Sequence, residues 1–366
     1  MCGVHVETKG INAEDDPMVA MLWSSVHDDG TYHTAVRSLP PHSMEKCRLP
    51  QEIVENILEE LLPQGRPIAL PASDIITKTL RCCLVLCKST FACSQRFLYE
   101  NCLYIDSPWR LQALLRSYHA STRRSPTIFH QAESRRLASV SLYLSPFPSE
   151  EITDMDTVKN VQSLFEMLSK TLRTLVIDMP LRSVDPEEPL GHHIMQCLRR
   201  GFVTLQNLEE FVSVRDELYT STSVPCKAPQ AWTFWPNMKR LALYNVLIDD
   251  SFRNNLSKLS SLQVLVLTRP DGSEVLDTLV SKLKASTRVF IVNTADHHEL
   301  ALRRNGEWFS RKYASAVEAP DGPGKPTAGK GEAGLEIVRV NKEDGLDDIE
   351  ACQEWVKRHA LLAKLW

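Results

Sequence analysis

The feature that most constrains this chain is a short string with apolar residues at its first, fourth and sixth positions. It reads Leu137, Val140, Leu142; Leu172, Leu175, Ile177; Met238, Leu241, Leu243; and Leu262, Leu265, Leu267. A degenerate copy holds Leu208, Phe211 and a polar Ser213, and a last echo is Thr287, Phe290, Val292. Successive strings begin 24 to 36 residues apart, and helical spacing fills the gaps at 109–118, 158–168, 192–202, 252–259 and 275–283. Each strand-helix unit leaves an apolar face that only a neighbouring unit can cover, so stacked units make a parallel sheet with helices outside. An ordinary doubly wound α/β domain alternates in the same way, but its doubly buried strands read as continuous apolar runs. The one-four-six pattern therefore favours an irregular α/β solenoid over 103–304.

The complementary positions of the strings predict a concave, partner-facing surface made of Thr174, Val176, Asp178, Arg240, Ala242, Tyr244, Val264, Val266 and Thr268. Thr174, Val176, Arg240, Tyr244, Val264 and Val266 are its candidate substrate contacts. Arg240 and Tyr244 are expected as exposed anchors, residue types that dominate binding energy where they are accessible.

On either side of the array the texture differs. Residues 1–43 have weak periodicity and end in Leu-Pro-Pro-His-Ser, a leader whose paired prolines break helix. Within 44–102, Leu49, Pro50, Ile53, Val54, Ile57, Leu58, Leu61 and Leu62 recur as on a helix with a broad apolar face, with Pro50 in its first turn. A second helix is expected to start at Ser73 or Asp74 and run through Ile76, Leu80, Cys83, Leu84 and Cys87; a third covers 91–99. Residues 305–334 contain a Pro/Gly-rich stretch at 318–334 that cannot bury a core and reads as a linker. In 335–366 a strand precedes an amphipathic helix at 349–366, carrying Trp355, Val356, Leu361, Leu362 and Leu365 and expected to dock back on the array.

Composition excludes more than it assigns. A formal net charge of -4 with no long basic block argues against binding by phosphate neutralisation, so no nucleic-acid partner is expected. No stretch of about 18 apolar residues spans a membrane and the first residues lack the pattern of a signal peptide, which points to an intracellular protein, cytoplasmic or nuclear. Cys82, Cys83, Cys87 and Cys93 lie in apolar, helix-like sequence and read as reduced, buried thiols; no ligand spacing indicates a metal. No catalytic motif is present, and the His192-His193 and His297-His298 pairs project in divergent directions. Asp249-Asp250 precedes a helix and is explained by capping. Neither a catalytic group nor a cofactor is expected.

The run from Leu49 to Leu58, Leu-Pro-Gln-Glu-Ile-Val-Glu-Asn-Ile-Leu, resembles the opening of an F-box, and Leu80, Cys83, Leu84, Val85, Cys87, Lys88 and Phe91 resemble its second half. Phe97-Leu98-Tyr99, Leu103-Tyr104-Ile105 and 110–115 are similar to the run that follows in fungal F-box proteins with leucine-rich tails. Two features depart from that pattern: a longer loop at 63–72, and an aromatic four rather than three residues after Cys87. The resemblance implies a short three-helix module that binds a Skp-type adaptor, and through it a cullin, with the array selecting a protein substrate for ubiquitination. The positions that match the adaptor contact, or the small core beneath it, are Leu49, Pro50, Ile53, Ile57, Leu58, Leu84, Cys87 and Phe91. A protein-interaction scaffold with an F-box-like cap is the competing class. Limited proteolysis is expected to cut first within 318–334; strong protection there would remove the linker assignment.

Overall fold

The computed structural model describes residues 50–62, 69–124, 140–218, 230–271, 276–294, 317–318, 335–342 and 345–366. Leu49, the leader, Leu137, the His297-His298 pair and all of the expected 305–334 linker except 317–318 lie outside them. Three helices open the described chain: α1 (Gln51–Glu59), α2 (Ile75–Cys83) and α3 (Lys88–Asn101). Asp74 caps α2 by accepting from the Ile76 amide at 2.7 Å. The second helix stops at Cys83 rather than reaching Cys87, because residues 84–86 turn and α3 begins at Lys88.

After Cys102 the chain enters the sheet, whose strands are β1 (Leu103–Ile105), β2 (Val140–Leu144), β3 (Leu172–Ile177), β4 (Glu210–Ser213), β5 (Arg240–Tyr244), β6 (Val264–Thr268), β7 (Arg288–Thr294), β8 (Val317–Glu318) and β9 (Leu335–Val340). Spatial order follows chain order from β1 to β7, then β9 and finally β8, and every neighbouring pair is parallel. A doubly wound sheet reverses its strand order at a switch point. The monotonic run from β1 to β7 is instead the order of a stacked, solenoid-like α/β array.

Strand residues alternate between two faces. On one, Leu142, Leu175, Ile177, Phe211, Leu241, Leu243, Leu265 and Leu267 join the helices α4 (Pro108–Arg124), α5 (Met155–Leu168), α6 (Pro189–Thr204), α7 (Asp250–Leu256) and α8 (Leu276–Lys282) in one core. The same core takes in Leu58, Leu80, Leu84, Phe97 and Leu98, so it runs without a break from the helical module into the array. Phe202, Phe211 and Trp235 form an aromatic knot at its centre, with the Trp235 indole donating to the Phe202 carbonyl at 2.8 Å. At Gly201 a Cβ would come within 3.0 Å of Phe165 and 3.2 Å of the Gln162 backbone, so α5 and α6 approach closely only because that side chain is absent.

The other face holds Tyr143, Val176, Val212, Ala242, Tyr244, Val264, Val266, Phe290 and Val292. Among the described residues its cover is the helix α9 (Asp348–Leu361), which brings Ala351, Cys352, Val356 and Ala360 against the strands. Asp347 and Glu350 close a capping box at its start.

One string is misphased in the sequence reading. The register pairs Leu265 with Val289 and Leu267 with Ile291, so Val289 and Ile291 face the helices while Phe290 and Val292 face α9. The run Val289-Phe290-Ile291-Val292 is apolar on both faces, and with no alternation the phase is not specified. Thr287 still stacks on the preceding string, its hydroxyl donating to the Leu262 carbonyl at 3.1 Å. Truncating Leu241 to Ala is expected to cost about 2–5 kcal/mol through the cavity it leaves, read as a lower denaturation midpoint at unchanged m-value; a loss below about 1 kcal/mol would contradict its place in the core.

Candidate functional site

Two surfaces compete for a functional role: the outside of the helical module and the second face of the sheet. Helix α1 and the turn that follows it carry two apolar ridges of four-residue spacing. Val54, Leu58 and Leu62 turn into the core, with Leu58 fully buried and the other two partly so. Beside them, about 100° around the helix, Ile53, Ile57 and Leu61 face solvent, Ile57 at 51% exposure. Ile75 at the start of α2 is 73% exposed, and Val85 and Leu86 are exposed in the turn before α3. Of the twelve large hydrophobic side chains exposed among the described residues, these six lie in the module, a concentration that scattered surface hydrophobics do not produce.

The sequence-derived adaptor set is thereby divided. Pro50, Ile53, Ile57 and Cys87 are exposed, whereas Leu58 and Leu84 are buried and Phe91 packs against the core from a half-buried position. Leu61, Ile75, Val85 and Leu86 lie outside that set. The signal for Leu61 was present, since it continues the Ile53–Ile57 ridge by one more turn. The expectation of buried thiols is corrected at Cys82 and Cys87, which are exposed, while Cys93 is buried and Cys83 intermediate. Cys82 lies in the last turn of α2 and Cys87 at the N-cap of α3, on either side of the buried Leu84.

The second face does not have the open character expected of a substrate-binding surface. Thr174, Val176, Asp178, Ala242, Tyr244, Val264, Val266 and Thr268 share it, as the string phase predicts, but they are buried, Tyr244 to 4%. Burial pushes the Tyr244 hydroxyl up to about 12 and the Cys352 thiol above it up to about 11, so both are protonated at neutral pH. Of the six candidate contacts only Arg240 is partly accessible, and it is paired with Glu210 at 2.6 Å. The correction has a plain cause: β-branched and aromatic side chains at alternate positions of adjacent parallel strands form an apolar sheet face that needs a cover, and α9 supplies it.

At one border of this face lies a polar cluster centred on Asp178, one residue past β3. Its carboxylate is 4% exposed and accepts from the Tyr143 hydroxyl at 2.9 Å and from Arg215 Nε, with Lys357 Nζ of α9 at 3.6 Å. Arg215 also reaches Glu150 at 3.2 Å. Burial works against the charges of Arg215 and Lys357, but the neighbouring carboxylates, Asp178 foremost, outweigh it and hold both pKa values above their ordinary range. Burial and then Asp178 raise the Tyr143 hydroxyl, which stacks on Tyr104 with ring centroids 4.3 Å apart. The cluster is a tether: a desolvated carboxylate is acceptable only because two cations and a hydroxyl satisfy it, and one of those cations belongs to α9.

The other sequence candidates resolve simply. Asp249 accepts from the Phe252 amide at 2.7 Å and caps α7, and Asp250 pairs with Arg253 at 2.6 Å. The rings of His192 and His193 lie edge to face, 6.1 Å apart. Among the described residues no three His, Cys, Asp or Glu side chains are grouped to hold a metal ion, and no helix is long and apolar enough to cross a membrane.

Tyr244→Ala is expected to lower stability by roughly 3 kcal/mol, and Ile57→Ser to change it by less than about 0.5 kcal/mol, both by chemical denaturation; the opposite ranking would contradict the assignment of covered and open faces. No family model, curated protein or solved structure matches this chain.

Proposed function

We propose that the chain is the substrate-recognition subunit of a Skp-cullin-F-box type ubiquitin ligase, docking the Skp-type adaptor on the helical module and a protein substrate on the array. The observation that carries this reading is the second ridge of α1. A three-helix module that only capped the array would need one apolar ridge, and it has one in Val54, Leu58 and Leu62. Ile53, Ile57 and Leu61 keep between a third and a half of their surface in water, so a docked helical partner that covered them would gain roughly 1 kcal/mol for each. Pro50 at the head of the ridge, and Val85 and Cys87 beyond α2, supply the remaining exposed groups that match the F-box resemblance, and Leu86 between them is exposed as well. In this role the chain contributes binding and geometry, and the transfer chemistry resides in other subunits.

Titration calorimetry with a purified Skp-type adaptor is expected to give a Kd at or below the micromolar range. Ile53→Ala combined with Ile57→Ala removes two interface anchors at about 2 kcal/mol each, roughly thirtyfold per residue, and leaves the denaturation midpoint nearly unchanged because neither side chain is in the core. Lack of adaptor binding by the wild-type chain would sink the ligase reading in favour of a non-ubiquitin scaffold.

A further inference from the structure

With both faces of the sheet packed, the most exposed apolar group of the array lies on the edge where its strands end. Every neighbouring pair is parallel, so the chain leaves all strands on that one edge. Of the six large hydrophobic side chains exposed outside the module among the described residues, Trp109, Leu190, Leu247 and Ile349 stand in the connections that leave β1, β3, β5 and β9 there. Leu247 is the foremost, 59% exposed. It is bridged to Asp271, with the Ile248 amide donating to the Asp271 carbonyl at 3.0 Å and the Asp271 amide to the Val246 carbonyl at 2.9 Å. Its own amide faces the Glu217 carboxylate, and Arg182, from the connection that carries Leu190, pairs with Glu217 at 3.5 Å and donates to the Asn245 carbonyl at 3.0 Å. Four successive connections are thus laced around one leucine that they hold in water.

The same edge is acidic. Residues 145–156, 178–190, 214–218, 245–250 and 269–271 hold thirteen acidic residues against three arginines. Helix caps account for Asp154 and Asp249, and the helix dipole for Asp156 and Asp250 beside them. Capping does not account for Glu187 and Glu188, which are exposed before α6 with no cap hydrogen bond from Glu188, nor for the exposed Asp271. A rigid apolar anchor ringed by carboxylates fits a partner of the opposite pattern, since burying the leucine supplies affinity while the charges select and orient what reaches it. We propose that the protein substrate docks on this edge through a Lys/Arg-rich segment, one apolar residue of which packs on Leu247 while the basic residues beside it meet Glu217, Asp271 and the Glu187–Glu188 pair. The inference rests on the receptor reading given above and adds to it a docking site and a substrate class.

The test uses the full chain and a fluorescent peptide in which one leucine is flanked on each side by two lysines. Fluorescence anisotropy at about 50 mM salt is expected to give a Kd of about 100 µM or tighter, weakening severalfold by about 200 mM as the exposed charges are screened. Replacing the leucine of the peptide by serine, or Leu247→Ser in the protein, should each weaken binding about tenfold, and Glu187→Gln, Glu188→Gln and Asp271→Asn combined should do the same. These side chains are exposed, so the denaturation midpoint should hardly move. Equal binding of the leucine and serine peptides would mean that charge alone is read, and an unchanged Kd for Leu247→Ser would place the peptide elsewhere; either overturns the proposal. Ile53→Ala with Ile57→Ala should leave peptide binding as it is, and a loss there would move the site to the module and overturn the proposal as well. Adaptor calorimetry on the same sample keeps the two readings apart: adaptor binding without peptide binding sinks only the edge, and peptide binding without adaptor binding sinks the ligase reading.

Discussion

The structure depends on strands that are apolar on both faces. Val176 sits between Leu175 and Ile177, and Val266 between Leu265 and Leu267, each packed on the face opposite its neighbours. Parallel pairing of such strands buries the backbone polar groups in a ladder but leaves two greasy planes, and each must be covered. Covering the first is local work, since the helix between one strand and the next lies against the strands it connects. The second plane is covered from the far end of the chain by residues 348–361, which reach back towards β3 at 172–177. One half of the core can therefore assemble repeat by repeat, while the other closes only once residues 348–361 reach back to it, with the entropic cost of a long loop.

This asymmetry also explains what the sequence revealed and what it hid. The helix-facing phase of Leu175, Leu241 and Leu265 was legible because large γ-branched residues recur at fixed offsets, and each one in register confirms the next. The opposite phase was legible as a set but misjudged in character. Valine at 176, 264 and 266 is a poor choice for an open binding surface, and read with the amphipathic helix at 349–366 it already implied a cover. What a pattern cannot supply is which of two apolar partners, a segment of the chain or another molecule, lies on such a face, because both present the same chemistry to it. The break at Thr287, Phe290, Val292 is a smaller case of the same limit.

In the helical module the balance was reversed. The spacing of Leu58 and Ile57 identified a helix with a wide apolar arc, but width alone does not separate the part that packs from the part that waits. Only the direction in which α3 lies against α1 divides the Val54–Leu58–Leu62 ridge from the Ile53–Ile57–Leu61 ridge. Polar residues were harder still. In the string pattern Asp178 is one position among nine, whereas its importance comes from Tyr143 and Arg215 of neighbouring repeats and Lys357 of α9, partners 35, 37 and 179 residues away in the chain.

The junction at Cys102 has a mechanical consequence. Helix α3, 14 residues and about 21 Å long, passes into β1 through that single residue, whose thiol is buried and accepts from the Thr77 hydroxyl at 3.4 Å. Leu98 at the end of α3 and Leu103 at the start of β1 belong to one packed core, so no swivel separates the module from the array. A body docked on α1 is carried as a fixed extension of the sheet, at one bearing and one reach. Any search of orientations needed to bring two docked molecules together must then come from flexibility in those molecules, and a single residue inserted at the junction would re-aim the whole assembly while leaving each surface intact.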